Sequence, residues 1–306
     1  LMILRPPRST LSSSSAASDV YKRLENNWNP KLSVAEWWQL MADARLSHPM
    51  LPEEAGGRGW SRALNHAVLS VIADKNVLGP PTGLGMMLAA PTIAAHGTQE
   101  QIEEYIPKIL NGQHAWCQLF SEPGAGSDLA SLATSAEYAG DDYLVNGRKI
   151  WTSLAQYADW IFCLVRTSKG ARKQEGRSLL LNDMSTPGIT IKPIISIDGR
   201  HSLNEVLFEN VRVPTENLIG EQDKGWTYAK ALLAHERTNM AEVADSTRML
   251  ADLKQKASIQ IGGGKRLIDD EVFENIAKIY EKEGSDCWFY DDEQKFLGKK
   301  YKKDSR

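Results

Sequence analysis

The sequence predicts an α+β multidomain protein: an N-terminal helical domain, a middle antiparallel β domain and an incomplete C-terminal helical bundle. Three observations predict it. Apolar residues recur at helical spacing over residues 19–112, short runs of β-type residues separated by turn residues fill 113–221, and helical spacing returns over 222–281. Strands that follow one another without intervening helices are typical of an antiparallel sheet.

Bulk composition excludes several classes of protein. The 306 residues are 42% hydrophobic and 25% charged, which is typical of a globular protein. A formal net charge of -3 provides no basic field, so we expect neither nucleic acid nor an anionic membrane as partner. No apolar run has the length of a membrane span. The three cysteines are scattered, which favours buried thiols in a reducing compartment over disulfides or a metal site.

The two ends of the chain differ from the rest. Residues 1–18 begin with Leu1 and carry arginines and a serine run without acidic residues, so they read as a mitochondrial transit peptide, a disordered tail or a translation artefact. We predict a cytoplasmic protein, and the transit-peptide interpretation makes the mitochondrial matrix the alternative. Residues 282–306 show no sustained period and form an atypical tail, interpreted as unrelated sequence appended to a truncated chain or as a native surface tail.

Helix signals organise residues 19–112. Ser33 with Glu36 three positions later forms a capping box before one helix, and Thr98 precedes another that runs to Leu110. Apolar spacing predicts helices over 63–76 and 83–95, and Gly112 ends the domain.

Strand signals organise residues 113–221. Asn146-Gly147 predicts a two-residue hairpin turn within this domain. After a loop at 220–225, one long helix is expected over 226–256, broken at 262–264 and followed by a second over 269–281. The predicted strands are 135–138, 143–145, 149–152, 160–167, 178–182, 189–194 and 205–211.

The run 121–128, Ser-Glu-Pro-Gly-Ala-Gly-Ser-Asp, follows an apolar segment, 115–120, that predicts a buried strand. Proline fixes the entry to the run, and the glycines permit positive φ and close approach of a flat or anionic ligand. The same letters also fit an ordinary turn with a helix cap at Ser127 or Asp128.

Five segments are informative as a set: 52–59, 97–100, 121–128, 146–153 and 208–214. Taken together and in this order, they resemble the acyl-CoA dehydrogenase family of flavoproteins over about residues 28–279. The sequence at 235–239 looks most like one bacterial-type branch.

The resemblance implies FAD as cofactor and an acyl-CoA as substrate, which is oxidised to the trans-2-enoyl-CoA. It further implies an electron-transferring flavoprotein as acceptor and a homo-oligomer. Carried over by position, Ser127 and Arg237 would contact the substrate. The implied cofactor-binding residues are Gln118, Leu119, Phe120, Ser121, Gly126, Ser127, Trp151, Thr152 and Ser153.

Glu236 is the candidate catalytic base. It lies on the predicted long helix between Leu233 and Met240, where burial would raise its pKa and suit it to proton abstraction. A minority of the family places the base on this helix, whereas the majority takes it from a later segment that has no match after Ile279. The other interpretations are a buried glutamate paired with Arg237 or Arg148, or a helix residue at the edge of the apolar stripe.

Two further functions remain open on the sequence. One is an acyl-CoA oxidase-like relative, whose reduced flavin would react rapidly with oxygen. The other is a non-catalytic acyl-CoA-binding subunit of a heteromeric dehydrogenase, in which a second chain supplies the base.

Overall fold

The computed structural model describes residues 31–74 and 77–239, together with residues 22, 26, 27, 29, 251, 253–259, 261, 262, 265, 266 and 269. Side chains at 66, 67, 70, 71, 73, 74, 234–239, 261, 262 and 265 lie outside this description. The chain divides into two compact units. One comprises residues 28–62 and 80–235, and the other comprises 1–27, 63–79 and 236–306.

The helices of the first unit begin where the sequence places caps. Helix α1 is Val34–Asp43, and the Ser33 hydroxyl accepts the Glu36 amide while the Glu36 carboxylate accepts the Ser33 amide. Helix α2 is Arg62–Asp74, which falls almost wholly in the other unit. A π-helical turn, Gly85–Ala89, leads into α3, Ala90–His96, so the helix expected over 83–95 has two parts.

Helix α4, Gln99–Leu110, docks on the sheet through polar contacts at its first turns. Thr98 and Gln101 form a reciprocal capping box. The Gln101 side-chain amide also donates to the carbonyls of Glu216 and Leu218, at 2.6 and 3.0 Å. Tyr105 donates to the Asn217 amide oxygen at 2.9 Å, and burial raises the pKa of this phenol to about 12.

Eight strands form one sheet. They are β1 Trp116–Leu119, β2 Ser135–Ala139, β3 Asp142–Ser153, β4 Trp160–Arg166, β5 Arg177–Asp183, β6 Ile189–Ile195, β7 His201–Pro214 and β8 Leu218–Ile219. Their order in the sheet is β6-β7-β3-β2-β4-β5-β8, with β1 paired to β4. Five of the strand pairings are antiparallel, as predicted. The exceptions are the parallel pairings of β1 and β2 with β4.

The predicted hairpin at Asn146-Gly147 is wrong. Both residues lie inside the twelve-residue strand β3, at a shift in its register with β7. Gly147 has a φ of 154°, and a Cβ added there would come within 2.5 Å of the Thr134 hydroxyl. The glycine therefore serves a bulge and a close approach within the sheet, and the chain reverses instead at Gly140 and Asp141, between β2 and β3.

The centre of the sheet is buried on both faces. Alternate residues of β4 enter two apolar clusters: Phe162 and Leu164 pack with α3 and α4, whereas Ile161 and Cys163 pack with β3 and β7. A strand covered on both sides reads as a continuous apolar run, which is how β4 appears in the sequence.

The C-terminal elements are described only in part. Helix α5 is Gly225–Asn239, and a two-stranded hairpin joins β9, Ile261–Gly262, to β10, Lys265–Arg266. This hairpin was not predicted. Residues 253–259 are helical, and the predicted long helix over 226–256 includes the first four of them. The predicted second helix over 269–281, beyond Asp269, and the predicted tail over 282–306 lie outside the described residues.

Candidate functional site

The structure joins the two segments predicted to meet a cofactor. Strand β1 ends at Leu119 and delivers the chain into the loop 121–134. The Ile150 amide donates to the Ser121 carbonyl at 2.9 Å. The first residue of the loop is therefore bonded to β3 next to Trp151. In the sheet, β2 lies between β3 and β4, and β1 pairs in parallel with β4. This pairing brings the end of β1 close to β3.

The loop opens with a tight turn. Glu122 and Ala125 exchange two backbone hydrogen bonds of 3.0 Å, so Pro123 and Gly124 form the tip. Neither Gly124 nor Gly126 has positive φ, and a Cβ added to either would meet no atom within 4 Å. Backbone conformation and packing among the described residues thus leave both glycines unexplained, whereas close approach of a ligand to the backbone would explain them.

The Glu122 side chain holds the two ends of the loop together. Its side chain is 7% exposed, and one carboxylate oxygen lies 2.8 Å from the Lys149 ammonium. The same carboxylate accepts the backbone amides of Ala133 and Thr134, at 2.6 and 3.0 Å. One buried carboxylate therefore joins the start of the loop to its end.

Lys149 is fully buried on β3, with a side-chain exposure of 0%. Besides Glu122, its ammonium donates to the carbonyls of Phe120 and Leu164, at 3.2 and 2.7 Å. Its three N–H donors are thus matched by three acceptors, two at the exit of β1 and one on β4. A buried charge is tolerated when it is paired and fully hydrogen-bonded, as it is here.

The charge on Glu122 follows from these partners. Burial by itself raises the pKa of this carboxyl, but the Lys149 ammonium and the hydrogen bonds from Lys149, Thr134 and Ala133 outweigh it. The net result is a pKa below its ordinary value of 4.5. Glu122 is therefore ionised at neutral pH.

Two arginines hold the second half of the loop. Arg166 donates two hydrogen bonds to the Leu132 carbonyl, at 3.2 and 2.9 Å, and Arg177 donates to the Ala130 carbonyl. Burial, together with the nearby charge of Arg166, lowers the pKa of Arg177 to about 10. The turn Leu129–Ser131 is thereby attached to the ends of β4 and β5.

Trp151 is presented to the surface by an unusual backbone. It has a φ of 61°, lies at a register shift between β3 and β7, and is 58% exposed. Positive φ is uncommon for a residue with a bulky side chain, and such strain tends to occur at functional sites. Ser153 is also exposed, whereas Thr152 between them is buried, and its carbonyl accepts the Asn204 side-chain amide at 3.2 Å.

The other predicted cofactor residues divide by exposure. Leu119 and Phe120 are buried, and Phe120 packs edge-to-face on Phe162 at 6.1 Å between ring centroids. These two residues could offer a ligand only their backbone. Gln118 and Ser121 are half-buried, and Gly126 and Ser127 are exposed on the loop.

The candidate base is less well defined. Glu236 and Arg237 lie on α5, but their side chains are outside the described residues. Arg148, offered as a partner for Glu236, has an ion pair of 3.1 Å with Glu205.

The residues present fit a flavin. The loop carries two glycines where a Cβ would meet no atom within 4 Å and the serines at 121 and 127, while β3 carries the exposed indole of Trp151 and Ser153. One backbone hydrogen bond joins the two segments. An indole face supports a flat ring, and short donors suit the polar edge of an isoalloxazine. The residues that would hold FAD here are Ser121, Gly126, Ser127, Trp151 and Ser153.

The described residues include neither a membrane-spanning helix nor a metal-binding cluster. None of the helices in that part of the chain is both long and apolar enough to cross a bilayer. Among the same residues, His, Cys, Asp and Glu form no group of three or more able to hold a metal ion.

Comparison with known sequences gives the family. The profile of the acyl-CoA dehydrogenase N-terminal domain matches residues 14–113, and that of the acyl-CoA dehydrogenase middle domain matches residues 117–211. The chain belongs to the acyl-CoA dehydrogenase family, whose members are oxidoreductases that carry FAD.

Similar curated proteins come from mycobacteria. The chain is 42% identical over 201 residues to acyl-CoA dehydrogenase IpdE1 of Mycobacterium tuberculosis, which covers 66% of this chain and 52% of that protein. It is 46% identical over 201 residues to acyl-CoA dehydrogenase FadE34 of the same organism, covering 66% and 28%. The chain thus spans about half the length of IpdE1, or less for FadE34.

Solved structures share the fold. The ChsE4-ChsE5 complex of Mycobacterium tuberculosis matches with a TM-score of 0.70 and 29% identity, over 94% of this chain and 77% of that one. The Tcur3481-Tcur3483 steroid ACAD matches with a TM-score of 0.72 and 25% identity, over 93% and 74%. The predicted fold class is confirmed, while the domain boundaries and site residues stay predictions.

Sequence reasoning missed Glu122 and Lys149 as a pair. Glu122 lies in the motif 121–128, next to Ser121, and Lys149 lies in the motif 146–153, two residues before Trp151. The signals that could have indicated burial are a carboxylate two residues after the predicted buried strand 115–120 and a lysine that opens the predicted strand 149–152.

Proposed function

We propose that this chain takes part in the FAD-dependent α,β-dehydrogenation of an acyl-CoA thioester to the trans-2-enoyl-CoA. The observation that carries the proposal is the hydrogen bond between Ile150 and Ser121, which brings the open glycine loop beside the exposed Trp151. Membership of the acyl-CoA dehydrogenase family supports the same reaction.

Each residue of this junction has a task that its chemistry suits. Trp151 supplies a flat apolar wall for the ring. The Ser121 hydroxyl and the backbone amides of the loop donate hydrogen bonds toward negative charge that develops during the reaction. Gly126 lets the backbone approach, and Ser127 faces the thioester end of the substrate. When bound, FAD accepts the β-hydrogen as hydride.

Glu236 is the base in this proposal. Its carboxylate removes the proton from the α-carbon of the thioester, and Arg237 binds the substrate. These two assignments depend on the family resemblance and on the position of both residues on α5. A base from a later segment is the alternative.

We infer an electron-transferring flavoprotein as acceptor, a homo-oligomer and a location in the cytoplasm. The range of acyl groups to test follows from the relatives. Because similar structures include a steroid ACAD, a thioester with a polycyclic acyl group belongs beside straight and branched chains.

Anaerobic titration tests the proposal. The chain is loaded with FAD and mixed with each acyl-CoA, and bleaching of the flavin's visible absorbance is recorded together with the enoyl-CoA formed. We expect bleaching with at least one thioester. Glu236→Gln should keep FAD and lose bleaching, whereas Glu221→Gln, an exposed carboxylate just before the same helix, should behave as wild type. Enoyl-CoA formation by Glu236→Gln would exclude Glu236 as the base.

A second candidate is a subunit of a heteromeric dehydrogenase. The similarity to the ChsE4-ChsE5 complex, named for two different proteins, favours it. In that case the FAD-loaded chain bleaches with no thioester by itself and bleaches once a complementary chain of the family is added.

A further inference from the structure

Within the loop 121–134, one side chain joins the two ends of the segment 122–134. The Glu122 carboxylate at its start accepts the amides of Ala133 and Thr134 at its end, at 2.6 and 3.0 Å. Everything between, including Gly126 and Ser127, is therefore held between two ends that the carboxylate joins. Hydrogen bonds to an ionised acceptor are roughly twice as strong as neutral ones.

Lys149 links this closure to the other half of the proposed flavin site. Its ammonium contacts Glu122, the Phe120 carbonyl at the exit of β1 and the Leu164 carbonyl on β4. Lys149 also lies two residues before Trp151 on β3. The same ammonium thus fixes both the loop and the strand that carries the exposed indole.

We propose that Glu122 and Lys149 form a positioning pair for FAD: they set the spacing between the loop and Trp151 without touching the cofactor. The inference rests on the proposed function. Both side chains are buried, at 7% and 0% exposure. All three N–H donors of the ammonium bind acceptors within the chain. Their effect on a ligand is therefore through the geometry of the loop.

The physical basis is preorganisation. A loop that must be ordered when a ligand binds weakens the affinity by the cost of ordering it, and a loop already fixed does not. In this site the fixed part includes the two glycines that the ligand would approach, Gly124 and Gly126, and the exposed Ser127.

The test uses a double variant, because either single change leaves one buried charge without its partner. Glu122→Gln with Lys149→Met removes both charges and nearly conserves volume, a kind of replacement that folds often tolerate. The matched control is Asp128→Asn with Lys173→Met. It removes an exposed ion pair of 2.9 Å from the same loop.

Four measurements are made on the 306-residue chain: the dissociation constant for FAD, the visible circular dichroism of the bound flavin, amide hydrogen exchange over 123–134, and the urea midpoint of unfolding. For the double variant we expect FAD to bind about tenfold more weakly, equivalent to about 1.4 kcal/mol. We also expect a changed flavin spectrum and faster exchange at Ala133 and Thr134. The control should stay within about twofold of wild type.

Each other outcome overturns a stated part. FAD affinity and spectrum that match wild type in the double variant overturn the positioning pair and leave the proposed function standing. The positioning pair is also overturned if the control variant weakens FAD binding equally. It is overturned as well if the loss of FAD binding is accounted for by a lower urea midpoint of unfolding. A wild-type chain that binds no FAD overturns the proposed function, and the pair with it.

Discussion

Two ion pairs hold the same loop in very different surroundings. Glu122 and Lys149 form an inner, buried pair with an N–O distance of 2.8 Å, and Asp128 and Lys173 form an outer, exposed pair with a distance of 2.9 Å. The inner side chains are 7% and 0% exposed, whereas the outer ones are 58% and 65% exposed. Distance therefore does not distinguish the pairs, and burial does.

The difference decides what each pair contributes. The outer pair is solvated on both sides, so water screens it and competes for its hydrogen bonds. The inner pair has exchanged water for two backbone amides and two carbonyls. Breaking the inner pair leaves those groups and one charge buried away from solvent. The large loss of stability on breaking a buried pair arises from this uncompensated burial.

The largest expected effect is that of Lys149→Met. Because the change leaves the Glu122 charge buried beside apolar strands, we expect a loss of about 3–5 kcal/mol in the free energy of unfolding. Urea denaturation of the wild type and the variant measures it. The same substitution at Lys192, an exposed position on β6, is the control and should cost under about 0.5 kcal/mol. A loss at Lys149 no larger than that at Lys192 would contradict the contrast between buried and exposed pairs.

Acid is the second way to break the inner pair. The pKa of Glu122 is lowered by folding, so its contribution to stability is present above the ordinary value of 4.5 and is lost as the pH falls through the folded value below it. We expect the free energy of unfolding of wild type to exceed that of Glu122→Gln above this window, and the difference to shrink as the pH falls through it. Denaturant titrations across the window measure both. Parallel curves for the two proteins would show that Glu122 does not titrate as argued.

Local features of the fold could be predicted from the sequence. The predicted capping box at Ser33 and the predicted cap at Thr98 are confirmed, because a cap depends on residues three positions apart. Strands β4 and β5 are confirmed within one residue at each end, since their apolar runs are short and bounded by turn residues. Signals of this kind need no knowledge of distant partners.

Features that depend on distant partners could not. Asn146-Gly147 carries a hairpin signal, but its meaning depends on Thr134 and β7, which surround Gly147 in the sheet. The parallel pairing of β1 with β4 is likewise set by the sheet as a whole. Local turn chemistry was outweighed there by tertiary packing.

The candidate site shows the same division. Ser121 and Trp151 were predicted as neighbours of one ligand, and the structure brings their segments together through Ile150. The positive φ of Trp151 and the pairing of Glu122 with Lys149, 27 residues apart, were not predicted. Periodicity reports which face a residue occupies, but it does not identify the partner of a buried charge.

The smallest expected effect sharpens the comparison most, because it uses the same loop and the same kind of interaction. Asp128→Asn removes the charge of an exposed carboxylate that lies 2.9 Å from Lys173 and also accepts a hydrogen bond from Ser131. We expect a change of under about 1 kcal/mol in the free energy of unfolding, falling further in high salt because exposed pairs are screened. Urea denaturation at low and high salt measures it, with Lys149→Met as the salt-insensitive reference. A salt-independent loss of several kcal/mol at Asp128 would mean that the outer pair also anchors the loop, and that exposure does not separate the two pairs.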